Sequence, residues 1–130
     1  MSAGPNPGMD QDTFEQFHEQ LERYVRERLI PAEKDMIEHD KVPEDILSEM
    51  KEMGLFGLTV PEDFGGAGLN ITQYAKVVQT MAYAAPAFRS IFSINVGMFN
   101  SAIKNGGTDA QKAEWWPKIA EGAIACFGLT

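Results

Sequence analysis

An all-α fold is predicted for this chain, with four or five helices followed by one opening strand. Three observations predict it. Apolar residues recur at spacings of three and four in one stretch after another. Pro, Gly and Asn punctuate those stretches at intervals of helical length. Hydrophobic residues make up 44% and charged residues 23% of 130 positions, the composition of one globular domain able to bury a core.

Residues 1–9 are rich in Ser, Gly, Pro and Asn and carry no charge, so they read as a disordered lead-in to a helical domain over 10–122. A first helix is expected over about 12–38. Phe14, Phe17, Leu21, Tyr24, Val25 and Leu29 share one face of it. Pro31 is expected to break or kink it, because proline lacks a backbone donor and clashes with the preceding turn. A short second helix comes next. Pro43 suits its first turn, Glu44 and Asp45 favour its positive end, and Gly54 stops it. Ile46, Leu47, Met50 and Met53 form its buried stripe. Residues 55–69 form an ordered loop: Pro61, Gly65, Gly66 and Gly68 punctuate it, while Leu55, Phe56, Leu58, Val60 and Phe64 are too apolar for a free linker.

A third helix starts near Asn70, with Ile71, Tyr74, Ala75, Val78, Met81 and Ala82 on its apolar face. Pro86 opens a fourth, reaching about Lys104. Its apolar residues, Phe88 to Ile103, sit nearly all round it, which predicts burial on every side. Asn105-Gly106-Gly107 stops it. Thr108 with Gln111 three residues on fits a capping box for a fifth helix. Pro117 bends that helix near its end and Gly122 terminates it. Trp115 and Trp116 diverge by about 100°, so they cannot share one core. Either one packs inside and the other meets a second domain or subunit, or both rings stay partly exposed. Residues 123–130 are apolar and strand-like with no partner strand upstream, so Thr130 is not expected to end a folding unit.

Composition also excludes functions. Eleven bases against nineteen acids give −8, which disfavours nucleic acid and anionic membranes as partners. Sixteen of the acids lie in residues 1–65, and none lies between Gly66 and Lys104. The start lacks the basic and apolar regions of a signal peptide. The longest uncharged stretch of the apolar region, 90–103, is too short for a membrane span. The expectation is a soluble, cytoplasmic protein. One cysteine and two histidines give neither a disulfide nor a metal site. Cys126 is expected to be a small packed residue, and His18 and His39 are expected to be solvated. The Gly65-Gly66-Ala67-Gly68 run is not read as a phosphate loop, since no Gly-Lys-Ser/Thr comes after it and no strand-to-helix fingerprint surrounds it.

Arg89 is the charge that stands out. Its nearest acids in sequence are Asp63 and Asp109. A cation near the start of a buried helix needs a partner. That partner is a carboxylate brought in by folding, water reached by snorkelling, or a bound anion such as a substrate carboxylate. Ser90 and Ser93 place hydroxyls on or near the same face.

Five stretches in this order and spacing resemble the N-terminal helical domain of the acyl-CoA dehydrogenase family: Arg28-Leu-Ile-Pro-Ala, Met53-Gly-Leu-Phe-Gly-Leu-Thr-Val-Pro-Glu-Asp-Phe-Gly-Gly-Ala-Gly-Leu, Gly107-Thr-Asp-Ala-Gln-Lys, Trp116-Pro-Lys-Ile-Ala-Glu-Gly and Phe127-Gly-Leu-Thr. The resemblance implies an FAD enzyme of three domains, of which this chain holds the first and the opening strand of the second. It implies that Phe127, Gly128, Leu129 and Thr130 begin a flavin-contacting segment. Phe88-Arg-Ser-Ile-Phe-Ser-Ile resembles the segment of glutaryl-CoA dehydrogenases in which an Arg-Ser pair meets the distal carboxylate of the substrate, which would make Arg89 and Ser90 substrate-binding; Ser93, on or near the same face, is counted with them. The family's catalytic base lies outside this domain, so no catalytic residue and no activity are expected of the chain alone. The family further implies an acyl-CoA substrate, an electron-transfer flavoprotein as acceptor and a homotetramer. The alternative is a stand-alone helical module that binds partner proteins or acyl chains without redox chemistry.

Overall fold

In the computed structural model, which describes residues 4–129, the chain forms seven α-helical segments: α1 (Gln11–Tyr24), α2 (Ile30–His39), α3 (Glu44–Glu52), α4 (Ile71–Met81), α5 (Pro86–Ser93), α6 (Asn100–Gly106) and α7 (Asp109–Ala120). Two pairs are joined end to end by π-helical turns, Val25–Leu29 between α1 and α2 and Ile94–Phe99 between α5 and α6. The result is five rods among the described residues, spanning 11–39, 44–52, 71–81, 86–106 and 109–120. The expected all-α class is what is found.

The first rod answers the Pro31 expectation differently from a break. Pro31 sits in the first turn of α2 and the helix runs through it. The turn before it is widened, with the Ile30 N–H reaching back five residues to the Val25 carbonyl. A wider turn gives room where the proline ring would crowd the preceding carbonyls. Phe14, Leu21, Val25 and Leu29 are buried along this rod. Pro43 caps α3 instead of entering it, and Gly54 ends it with φ +72°.

The main core joins that stripe to Ile46 and Met50 of α3, Val77 and Met81 of α4, and Phe88 and Phe92 of α5. Leu55, Phe56, Leu58 and Leu69 place the 55–69 loop inside it, as its apolar content implied. Within the loop, backbone bonds Leu69 N–H to Leu58 O (2.8 Å) and Gly68 N–H to Val60 O (2.9 Å) fold its two arms together. The fit requires glycine at Gly66, where a Cβ would stand 2.1 Å from the Val60 carbonyl oxygen. It also requires glycine at Gly57, where a Cβ would stand 2.8 Å from the Ala120 Cα of α7. A second, smaller core of Val60, Trp116 and Ile119 seats α7 on this loop.

Helix starts reflect local chemistry. Asn70 and Gln73 form a reciprocal capping box on α4, and Thr108 and Gln111 form the expected one on α7. Four expectations change. The buried face of α4 is Gln73, Val77, Thr80 and Met81, whereas Ile71 is 77% exposed and Ala75 and Ala82 are exposed, because bonds to Met9 and Asn70 draw Gln73 inward. Residues 4–9 lie against the body instead of forming a free lead-in: Asn6 Nδ2 donates to the Gly68 and Leu69 carbonyls, and the half-buried backbone of Met9 exchanges two bonds with the Gln73 amide. Residues 1–3 and Thr130 lie outside the described residues. The rod over 86–106 is not buried all round, since Met98 is 54% exposed and Ile91 and Ile94 are half-buried. Only one face of it packs on the other described elements. Residues 123–129 form no strand, because no backbone neighbour pairs with them.

Candidate functional site

Phe88 and Phe92 are buried four residues apart on α5, which fixes the rotation of the helix. Arg89 and Ser93 each come one position after one of them, so they share a face at the edge of the buried stripe. Both are half-buried, and Ser90 is exposed. Among the described residues Arg89 makes no ion pair and no side-chain hydrogen bond. Among the described residues, folding therefore brings it no carboxylate. Tyr74 of α4 is close enough to feel its charge: burial raises the phenol above its ordinary 10.0, and Arg89 pulls it back. Ser93 Oγ donates to the Ser90 carbonyl at 3.4 Å.

Tyr74 also lines a groove of about 420 Å³ farther along the same rod, with Ile71, Val96, Gly97, Ser101 and Lys104 among its walls. Gly97 opens space here, since a Cβ on it would meet nothing within 4 Å. Asn6, Thr59, Asn70 and Asn100 also line it, so the groove mixes apolar and polar walls.

Beneath the groove lies a polar chain that sequence reasoning missed. Trp116 Nε1 donates to Asn100 Oδ1 (2.6 Å), Asn100 Nδ2 donates to Thr59 Oγ1 (2.7 Å), and Thr59 Oγ1 donates to the Val96 carbonyl (3.1 Å). Each group donates to the next, with Asn100 using one of its two amide hydrogens, and among the described residues no buried side-chain nitrogen or oxygen lacks a partner. The signal was present: Asn95 and Asn100 interrupt an apolar helix and are almost fully buried, which demands partners.

Asn95 holds the segment after α7. Its Nδ2 donates to the Ala123 carbonyl (2.6 Å) and its Oδ1 accepts from the Ala125 N–H (2.7 Å). Beyond this anchor Phe127, Gly128 and Leu129 are exposed, with Leu129 at 84%. Backbone groups of 126–129 make no hydrogen bond among the described residues. The structure gathers Arg89, Ser90 and Ser93 on two turns of one helix and ties the tail to the next turn. It shows no hydrogen bond between 127–129 and those three residues.

Other candidates resolve differently from expectation. Cys126 is exposed instead of packed. His18 is half-buried, with Nε2 at 2.8 Å from Thr80 Oγ1 and its ring stacked on Phe14, because α1 packs on α4 along that edge. His39 is exposed, as expected. Trp116 is buried and Trp115 is 40% exposed, with Lys118 Nζ 4.5 Å from its ring centre. Among the described residues no group of three or more His, Cys, Asp or Glu could hold a metal ion, and no helix is long and apolar enough to cross a membrane.

Comparison with known proteins agrees with this architecture. The family model for the acyl-CoA dehydrogenase N-terminal domain matches residues 11–123. The (2S)-methylsuccinyl-CoA dehydrogenase of Cereibacter sphaeroides is 36% identical over 118 residues, covering 90% of this chain and 21% of that protein. The mitochondrial very long-chain specific acyl-CoA dehydrogenase of Rattus norvegicus is 38% identical over 109 residues, covering 83% of this chain and 16% of that protein. A glutaryl-CoA dehydrogenase from Mycobacterium smegmatis, solved in complex with FADH2, superposes with a TM-score of 0.79 at 30% identity, covering 94% of this chain and 31% of that one. The chain spans less than a third of each of these relatives. With the match running from the first turn of α1 to the residues just past α7, the chain belongs to the acyl-CoA dehydrogenase family, and the part of the family it represents is the N-terminal domain.

Proposed function

We propose that the chain works as the N-terminal part of an FAD-dependent acyl-CoA dehydrogenase, lining the acyl end of the substrate pocket and opening the flavin site. The observation that carries this reading is Arg89. It is a half-buried cation with no carboxylate partner among the described residues, on a helix edge near Tyr74, which itself lines a groove farther along the rod that Arg89 does not line. Such a cation suits a carboxylate delivered by a ligand. Ser93 supplies a hydroxyl one turn away and Ser90 a more exposed one. Methylsuccinyl and glutaryl, named in two of the relatives, are acyl groups that end in a carboxylate. Acyl groups of very long-chain substrates do not, so specificity for the carboxylate is the part to test.

Residues 127–129 fit a flavin as far as their own chemistry goes. Their backbone donors and acceptors are unpaired, and Phe127 offers an exposed ring. Thr130 would add a hydroxyl to the same segment. When bound, FAD supplies the hydride acceptor of an α,β-dehydrogenation. Removing the α-proton needs a carboxylate base. The family implies that this base lies outside the N-terminal domain. The family implies an electron-transfer flavoprotein as acceptor and a homotetrameric enzyme; a cytoplasmic location is our reading of the uncharged first nine residues.

The test is Arg89→Met in the intact dehydrogenase, assayed on a dicarboxylic acyl-CoA and a straight-chain one of matching length. Truncating one member of a desolvated charge pair costs about 2–5 kcal/mol, and half-burial puts Arg89 at the lower end. The loss of kcat/KM should fall on the dicarboxylic substrate. Equal losses on both would give Arg89 a structural role instead.

A further inference from the structure

We propose that Asn95 is a positioning residue: its buried amide fixes the register of residues 123–125 and so sets where residues 127–129 leave the domain. The flavin consequence of this rests on the reading just given; the anchoring itself does not.

Asn95 is 0% exposed and lies in the π turn of the 86–106 rod, six residues after Arg89. Burying an amide in an apolar helix is unfavourable unless both its ends are bonded. Both ends of this one go to the tail. The Ala123 carbonyl and the Ala125 N–H flank Ile124, and they are the pair that one residue of a parallel neighbouring strand would engage. The side chain thus stands in for a strand.

Apart from the bond that starts the tail at Ala123, no other hydrogen bond among the described residues holds residues 123–125. The Ala123 N–H still belongs to the end of α7, bonding the Lys118 carbonyl at 3.0 Å. Ala125 is the one tail residue that packs on the small core. From 126 onward no backbone bond is made among the described residues. A slip of one residue would put Ile124 or Cys126 at the Asn95 oxygen and exchange the positions of Phe127 and its neighbours. The turn that carries Asn95 is itself locked. The Asn100 N–H reaches back to the Asn95 carbonyl, and the Val96 carbonyl that an α-helix would have used accepts from Thr59 instead. Arg89, Ser93 and the tail anchor therefore ride on one rigid rod.

Asn95→Leu keeps the size and removes both bonds. In the intact protein, two readouts are taken: amide hydrogen exchange at Ala125, and binding of added FAD followed by its fluorescence. We expect Ala125 to exchange at least tenfold faster and FAD to bind at least tenfold more weakly, with amides of Leu21 and Phe88 exchanging as in the wild type. Unchanged protection of Ala125 overturns the anchoring. Faster exchange with unchanged FAD affinity overturns the positioning role. A wild-type protein that binds no FAD overturns the flavin reading and this consequence of it, while the exchange arm still decides the anchoring. Should Asn95→Leu fail to fold, Ala125→Pro removes the Ala125 N–H that donates to Asn95 Oδ1 and leaves the rod intact. The same loss of FAD affinity is expected there, and wild-type affinity overturns the proposal.

Discussion

A carbonyl released by a widened helical turn has to find another donor, and Val96 finds one in the Thr59 hydroxyl at 3.1 Å. That one hydroxyl also takes the proton of Asn100 Nδ2, so it closes the polar chain that starts at the buried Trp116. Removing it should cost more than a typical surface change, because Asn100 is only 3% exposed and would be left with an unpaired donor. Thr59→Val, close in shape, is expected to lower stability by about 1–3 kcal/mol in urea unfolding. A loss below about 0.5 kcal/mol, the level of an ordinary surface substitution, would show that the chain of bonds is not holding the turn. None of this is visible at Thr59 in the sequence, where one threonine in a loop looks like any other. Its partners lie 37 and 41 residues away.

What could be read in advance at the scale of elements was what is local. Capping at Thr108 and Gln111, the stripe of α3, the stop at Gly54 and the apolar 55–69 loop all depend on neighbours in sequence. The two π turns and the Asn95 anchor depend on tertiary partners, so periodicity alone could not show them. Contacts between elements are equally out of view, and Arg28 illustrates this. It is part of a stretch that resembles the family, but its role appears only when α3 packs on the first rod: Nη2 pairs with Asp45, and Nε donates to Glu49 at 2.9 Å. Hydrogen bonding to Arg28 holds the Asp45 carboxyl below its ordinary 3.8. A carboxylate depressed on folding stabilises the fold above its unfolded value, and that contribution disappears as pH falls through the folded one. The gap in urea midpoint between wild type and Asp45→Asn should therefore be open at pH 5 and narrow as pH drops below 3.8. Both side chains are largely solvated, so the gap is small. A gap of the same size at pH 5 and pH 2 would mean that the ion pair is not its source.

For the molecule as a whole, charge and apolar surface act in opposite directions. The net charge of −8 pushes copies apart. Met98, Trp115, Ile124, Phe127 and Leu129 are large apolar side chains left exposed on the 86–106 rod, α7 and the tail. Among the described residues they account for five of the nine exposed large hydrophobics, and Asn95 ties the tail to the same rod that carries Met98. Singly exposed apolar residues need no explanation, whereas a group of them marks a surface that a partner covers. The expected behaviour of the chain in solution depends on which force is screened. Salt weakens repulsion between like-charged copies, with a screening length near 10 Å at 0.1 M, and leaves apolar attraction intact. Self-association by sedimentation velocity should therefore rise as salt is raised from about 0.05 to about 0.5 M, a range over which the Debye length shrinks severalfold. Replacing Phe127 and Leu129 together by serine should suppress that rise, since both side chains lie beyond the Ala125 anchor and support none of the buried core. Association that weakens with salt would assign the contact to charge pairing between the acidic first half and bases such as Lys104 or Lys112, and the apolar surface would then have no part in it.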